Sequence, residues 1–75
     1  MELVEVVSEV LEVDRADVTD QAGPDTIGTW TSLRHLQLVA ALEEVYGLSF
    51  TYREIQGVRS VGALRQVLRA RGVAA

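Results

Sequence analysis

With 75 residues the chain has room for one domain and no second core. The absence of cysteine and the single histidine argue against a disulfide framework, a thiolate metal site or a zinc cluster, while 48% apolar residues favour a packed core over disorder. Eleven acids against seven basic residues, all of them arginine, leave a net charge of −4 and disfavour nucleic acid as the main partner.

Leu3, Val7, Val10 and Leu11 recur at helical spacing, with Glu2, Glu5, Glu9 and Glu12 mostly on the other face, which predicts an amphipathic helix over residues 2–12. Its acidic start suits the helix dipole and its acidic end does not. The charge-broken, acidic N-terminus reads as neither a signal peptide nor a membrane span, so a cytoplasmic protein is expected. From Val13 to Thr31 no period survives. D-R-A-D-V-T-D reads as a short turn anchored by Val18, and A-G-P-D as punctuation. A connection this long tends to be functional or mobile.

A second helix is predicted from Ser32, capped by Thr31 and stopped by Gly47 in the left-handed position that glycine takes without strain. Leu38, Val39, Leu42, Val45 and Tyr46 line its broad apolar face. Leu48 and Phe50 plug a short linker. T-Y-R-E-I-Q then carries the capping-box pattern of Thr51 with Glu54 and ends at Gly57. Ser60 caps a last helix that closes at Gly72, with Val61, Leu64 and Leu68, and Val67 beside them, as its stripe. The expected fold is all-α: a small antiparallel bundle of three main helices plus one short helix, with a long loop between the first two, forming a single domain over residues 1–75.

Charge is graded along the chain. Residues 1–30 hold eight acids against Arg15, a balance of −7, and the tail holds Arg65, Arg69 and Arg71 with no acid. Catalysis has little support. His35 lies three residues after Ser32, but nothing in the sequence orients the imidazole, and no glycine elbow or oxyanion nest surrounds the serine. Neither hydrolase chemistry nor a phosphate-binding glycine loop is expected. What needs explaining is the hydroxyl pair Thr31–Ser32, since one hydroxyl suffices to cap a helix.

The run G-T-W-T-S-L-R-H-L-Q-L-V-A-A-L-E-E-V-Y-G-L-S-F resembles the second-helix region of acyl carrier proteins. There a D-S-L tripeptide opens the helix, followed by a V-E-L-V-x-A-L-E-E-x-F-G-I-like run. Thr31-Ser32-Leu33, Leu36-Gln37-Leu38-Val39, Ala41-Leu42-Glu43-Glu44 and Tyr46-Gly47-Leu48 take those places here. The segment from Val58 to Leu64 is similar to the family's approach to its last helix. The resemblance spans nearly the whole chain, with specific motifs over about half of it. Trp30 before T-S-L is similar to the W-D-S-L version of free-standing carriers in polyketide and related pathways.

The resemblance implies that Thr31 is the cap and that Ser32 carries a 4′-phosphopantetheine arm through a phosphodiester, with Trp30, Thr31 and Leu33 beside it. It also implies a separate phosphopantetheinyl transferase, and partner enzymes that load and transfer acyl groups. The sequence departs from the family at Thr31, where the usual Asp would sit beside the modification point. The expected partner face departs too: in place of acids it holds Arg34, His35, Gln37, Tyr52, Arg53 and Arg59, with Leu33 and Leu36 as exposed apolar contacts. Such a face fits enzymes with a neutral or acidic docking surface. Trp30 reads either as a lid packed on the bundle or as a contact for the arm, and His35 as solvent-exposed. Met1 and the helix-compatible ends favour a free-standing protein, and the lack of an exposed heptad seam a monomer. Three alternatives stand beside this reading: a peptidyl or aryl carrier domain of a nonribosomal peptide pathway, a carrier-like module without an arm, and a non-covalent adaptor or helix-turn-helix relative. No membrane association is expected.

Overall fold

The computed structural model describes residues 2–75; Met1, which the single-domain expectation includes, lies outside them. In chain order the elements are α1 (Leu3–Leu11), a 3-10 turn (Arg15–Asp17), α2 (Ser32–Tyr46), α3 (Tyr52–Gly57) and α4 (Val61–Ala70). The all-α expectation of three main helices and one short one is met.

α1 buries Leu3, Val6, Val7 and Leu11. Val10, expected among them, is only half-buried, and Val6 completes the stripe instead. A core-facing stripe wider than about 100° accommodates that exchange. α1 packs along α2. Its C-terminal end meets the start of α2, where Arg34 Nη1 donates to the Val10 carbonyl at 2.6 Å. Its N-terminal residues Glu2 and Leu3 share a cleft with Tyr46 at the end of α2. The two helices therefore run antiparallel.

The end of α1 is unusual. Glu12 caps it at φ 56° and ψ 49°, a left-handed conformation that normally falls to glycine. The Ser8 carbonyl accepts from the Glu12 amide and from the Val13 amide at 3.2 Å, while the Ser8 hydroxyl donates to the Val13 carbonyl at 2.6 Å. Three bonds from one residue thus hold the strained turn. The acidic end, a mismatch with the dipole in the sequence, gains its cation from elsewhere: Arg34 also pairs with Glu12 at 3.4 Å.

Capping follows the predicted positions. The Thr31 hydroxyl accepts from the Arg34 amide, the Ser60 hydroxyl accepts from the Ala63 amide, and Thr51 with Glu54 forms a complete capping box. Gly47 ends α2 at φ 64°. The apolar face of α2 is narrower than its sequence indicates. Leu38, Val39 and Leu42 are buried, Tyr46 is half-buried, and Val45 is exposed because the bundle does not reach that side of the last turn.

The long connection is packed into the bundle as a structural layer. Val18, Ala22, Ile27 and Trp30 all enter the core, with Val18 as the expected anchor. The first turn of any helix leaves its amides without intrahelical partners. In α4 the loop satisfies them: the Val61 and Gly62 amides donate to the Ala22 and Asp20 carbonyls, each at 2.9 Å. The Thr29 hydroxyl donates to the Leu11 carbonyl at 2.6 Å, tying the other end of the loop to α1. The tail arginines are used internally as well. Arg65 pairs with Asp20, and Arg71 bonds Glu54 and the Ser49 carbonyl.

At Gly23 the loop lies tight against the segment that precedes α4. A Cβ there would stand 2.4 Å from the Arg59 carbonyl oxygen. Gly23→Ala should lower stability by about 1–3 kcal/mol, the usual cost of forcing atoms into a packed site. Gly28→Ala, with no atom within 4 Å of its Cβ, should change it by less than about 0.5 kcal/mol. Thermal denaturation followed by circular dichroism distinguishes the two; equal melting points would contradict the tight loop contact.

Candidate functional site

Ser32 is the first residue of α2 and is exposed. Three fixed points set its backbone. The Thr31 amide donates to the Thr29 carbonyl at 2.9 Å, the Thr31 carbonyl accepts from the His35 amide at 2.8 Å, and the Thr31 hydroxyl receives the Arg34 amide at 3.3 Å. The two hydroxyls therefore divide the work: Thr31 caps, and Ser32 is left outside the cap. No acid lies in the first turn of α2, so the positive end of its dipole is uncompensated at Ser32.

Beside Ser32 runs an open groove of about 620 Å³. One wall is the start of α2 with Trp30, Ser32, His35 and Leu36; the other is α3 and the segment after it, with Tyr52, Ile55, Gln56, Val58 and Arg59; Pro24 of the loop also lines it. Tyr52 is 74% exposed and its hydroxyl accepts from the Gln56 amide nitrogen at 2.8 Å, one turn away. Arg59 is the only formally charged residue of the lining, which contains no carboxylate.

Trp30 is the lid expected of it, 4% exposed. Its Nε1–H donates to His35 Nδ1 at 3.0 Å, with the two rings 24° from parallel and their centroids 6.1 Å apart. His35 Nε2 lies 2.9 Å from the Ile55 carbonyl oxygen. The expectation of a solvent-exposed His35 is therefore corrected: the ring is half-buried, with both nitrogens engaged. Arg34 is corrected in the same way. It is half-buried and turned back onto the end of α1, so its guanidinium does not stand free on the outer face.

The groove brings together Trp30, Thr31, Ser32, His35, Leu36, Tyr52 and Arg59. Leu33, at 65% exposure, and the exposed Gln37 and Arg53 lie outside it. Leu33, Leu36 and Tyr52 are three of the four large apolar side chains exposed among the described residues. Sequence reading missed Pro24, Ile55, Gln56 and Val58. Only the punctuation at Pro24 and the capping box placing Ile55 on a helix pointed toward them.

α3 is stapled to the end of α4. Arg71 bonds Glu54 through Nη2 at 2.6 Å and Nε at 3.2 Å, and its Nη2 also reaches the Ser49 carbonyl at 2.8 Å. The Arg71 hydrogen bond, helped by the Thr51 amide, holds the Glu54 carboxyl below the usual carboxylate range. No three His, Asp or Glu side chains among the described residues are grouped to hold a metal ion, and no helix there is long and apolar enough to cross a membrane.

Comparison with known proteins fits this geometry. The family model described as a phosphopantetheine attachment site matches residues 2–68. That family attaches 4′-phosphopantetheine covalently, normally at a serine, and its members are not themselves enzymes. Among solved structures, the chain is similar to a Mycobacterium tuberculosis protein provisionally assigned as an acyl carrier protein. The TM-score is 0.82 at 20% identity over 92% of each chain, a likeness that speaks for the fold. No curated protein matches the sequence.

The staple gives a pH prediction. A carboxyl with a depressed folded-state pKa stabilises the fold at neutral pH, and that contribution is lost as pH falls through the folded value, below the range near 4.3 where an unpaired Glu titrates. Carboxyl NMR should therefore show Glu54 titrating at lower pH in the native chain than in Arg71→Met. Identical titration curves would remove the staple.

Proposed function

The chain belongs to the phosphopantetheine attachment site family, and from that premise we propose that it is an acyl carrier protein whose arm is attached at Ser32. The observation that carries this reading is the division between the hydroxyls: Thr31 is consumed by the cap, and Ser32 stands exposed at a rigid helix start beside an open groove. A phosphodiester there would meet the positive end of α2 with no acid in the first turn to repel it. When bound, the arm supplies the thiol that holds an acyl, aminoacyl or hydroxyacyl group as a thioester. A chain without cysteine offers no competing thiolate to attack that thioester.

The residues of this chain bind and present rather than react. Ser32 needs no local base, because a phosphopantetheinyl transferase activates its hydroxyl. Trp30 and Leu36 on one wall and Ile55 and Val58 on the other give the arm and part of its cargo an apolar channel. Thr31 keeps the capping bond of the usual Asp and removes a charge where the transferase approaches, which slows loading without preventing it. The W-T-S-L variant favours a polyketide or related specialised pathway over general fatty acid synthesis, and the chain acts as a monomer.

Partner enzymes would dock over Ser32 on Leu33, Leu36, Gln37, Tyr52, Arg53 and Arg59, all exposed. Arg53 and Arg59 form no ion pair among the described residues, whereas Glu54, the acid of α3, is held by Arg71. That balance suits an enzyme surface that is neutral or acidic, and complementarity of this kind acts mainly on encounter rate and rejection of wrong partners.

Incubation with coenzyme A, Mg²⁺ and a broad-specificity phosphopantetheinyl transferase should add the mass of one phosphopantetheine to the native chain and none to Ser32→Ala. No gain, with a control carrier loaded in parallel, would sink the assignment of Ser32. For the docking face, Arg53→Glu with Arg59→Glu should slow acyl transfer from the chain's own loading enzyme by roughly tenfold at low salt, with helicity unchanged, on the scale of steering effects. Equal rates would reject the face. Arg34 is unsuitable for that test, since its reversal would also break the end of α1.

A further inference from the structure

The imidazole of His35 is one turn from Ser32 and joins three segments. Its Nδ1 receives the Trp30 indole N–H at 3.0 Å, and its Nε2 faces the Ile55 carbonyl at 2.9 Å. Indole N–H only donates and a carbonyl only accepts. Nδ1 must therefore carry no proton, and Nε2 must carry one. Both contacts exist together only in the neutral Nε2–H tautomer.

We propose that His35 is the positioning residue of the attachment site, and that it works only while neutral. Trp30 precedes the Thr31–Ser32 pair and Ile55 lies on the facing wall of the groove, so the ring acts as a strut that fixes the mouth of the groove beside Ser32. Protonation at Nδ1 replaces the acceptor with a second donor pointing at the Trp30 N–H, and the Trp30 bond cannot survive it. The indole, 4% exposed, then holds a buried donor without a partner, and the lid has to shift to reach water.

The surroundings do nothing to oppose that release. Of the charged or titratable groups near the ring, Arg34 on α2 is drawn away to Val10 and Glu12. On α3, Glu54 is occupied by Arg71, Arg53 is exposed, and Tyr52 lines the groove. Arg59 follows on the same wall, and Asp25 of the loop is the sequence neighbour of the lining residue Pro24. No carboxylate lines the groove to pair with an imidazolium and hold the ring in place.

This inference rests on Ser32 as the attachment point, but its core is testable without loading. The chain has one histidine and one tryptophan, bonded to each other, so both report cleanly. Nitrogen-15 NMR of the full chain should show the Nε2–H tautomer near pH 7.5. Trp30 emission should change when acidification protonates the ring, an event the same NMR experiment follows. In His35→Asn, which keeps an acceptor near the Nδ1 position, and His35→Gln, which keeps a donor near the Nε2 position, the emission should be flat.

For positioning, kcat/KM of phosphopantetheine attachment, normalised to a control carrier at each pH, should fall about tenfold in the native chain once the ring is protonated, the scale of one lost buried hydrogen bond. It should stay level in His35→Asn. At pH 7.5, Trp30→Phe should be slowed to a similar degree with unchanged far-UV circular dichroism, which decides the matter if the native chain loses helicity in acid. An Nδ1–H tautomer, flat native emission, or native and His35→Asn profiles that coincide would overturn the strut. Failure of the native chain to load at any pH would instead overturn the assignment of Ser32, leaving the spectroscopic result to judge the strut alone.

Discussion

The environment of Ser32 depends on one set of contacts: the first amides of α4 are satisfied by carbonyls of the α1–α2 loop, not by water. Because Val61 and Gly62 donate to Ala22 and Asp20, a connection without regular structure becomes part of the core. That docking sets Val18, Ala22 and Ile27 against the helices and delivers Trp30 to the start of α2. In a chain of this size the core is small, and a loop left outside it would forfeit several buried apolar side chains. The same loop serves stability and frames the site, so the two cannot be altered independently.

Local signals in the sequence were read correctly because their physics is local. A hydroxyl caps an amide three residues on, so Thr31, Thr51 and Ser60 announce helix starts without reference to the rest of the chain. Gly47 marks a left-handed end for the same reason. Glu12 takes that conformation with no glycine to signal it, sustained by Ser8, and nothing in the sequence distinguishes it from the neighbouring acids. Val45 shares a helical face with buried residues, yet exposure depends on which neighbours reach it.

The site was legible in part for the same reason. The hydroxyl pair and its flanking run pointed to Ser32 and its cap, both matters of local spacing. The placement of His35 and Arg34 was not, because their partners lie 20 and 24 residues away in sequence. Period and composition do not encode such pairings. Four of the seven arginines form ion pairs among the described residues, and the acidic first half supplies the partners of Arg15, Arg34 and Arg65. What reads in sequence as an acidic domain with a basic tail is, in space, a surface stitched across its elements. Arg53 and Arg59 beside the groove stay outside that stitching.

The pairing of loop carbonyls with α4 also fixes an order of events during synthesis. α4 leaves the ribosome after the loop and α2, and until it does Asp20 and Ala22 lack the Val61 and Gly62 amides. The turn bearing Ser32 can be capped and helical earlier, and Thr29 can tie the near end of the loop to α1, but the stretch around Asp20 and Ala22 is not yet anchored. A nascent chain therefore displays the serine without its finished frame. An enzyme that reads the frame as well as the serine would pass over chains that still lack α4 and modify those in which it has docked.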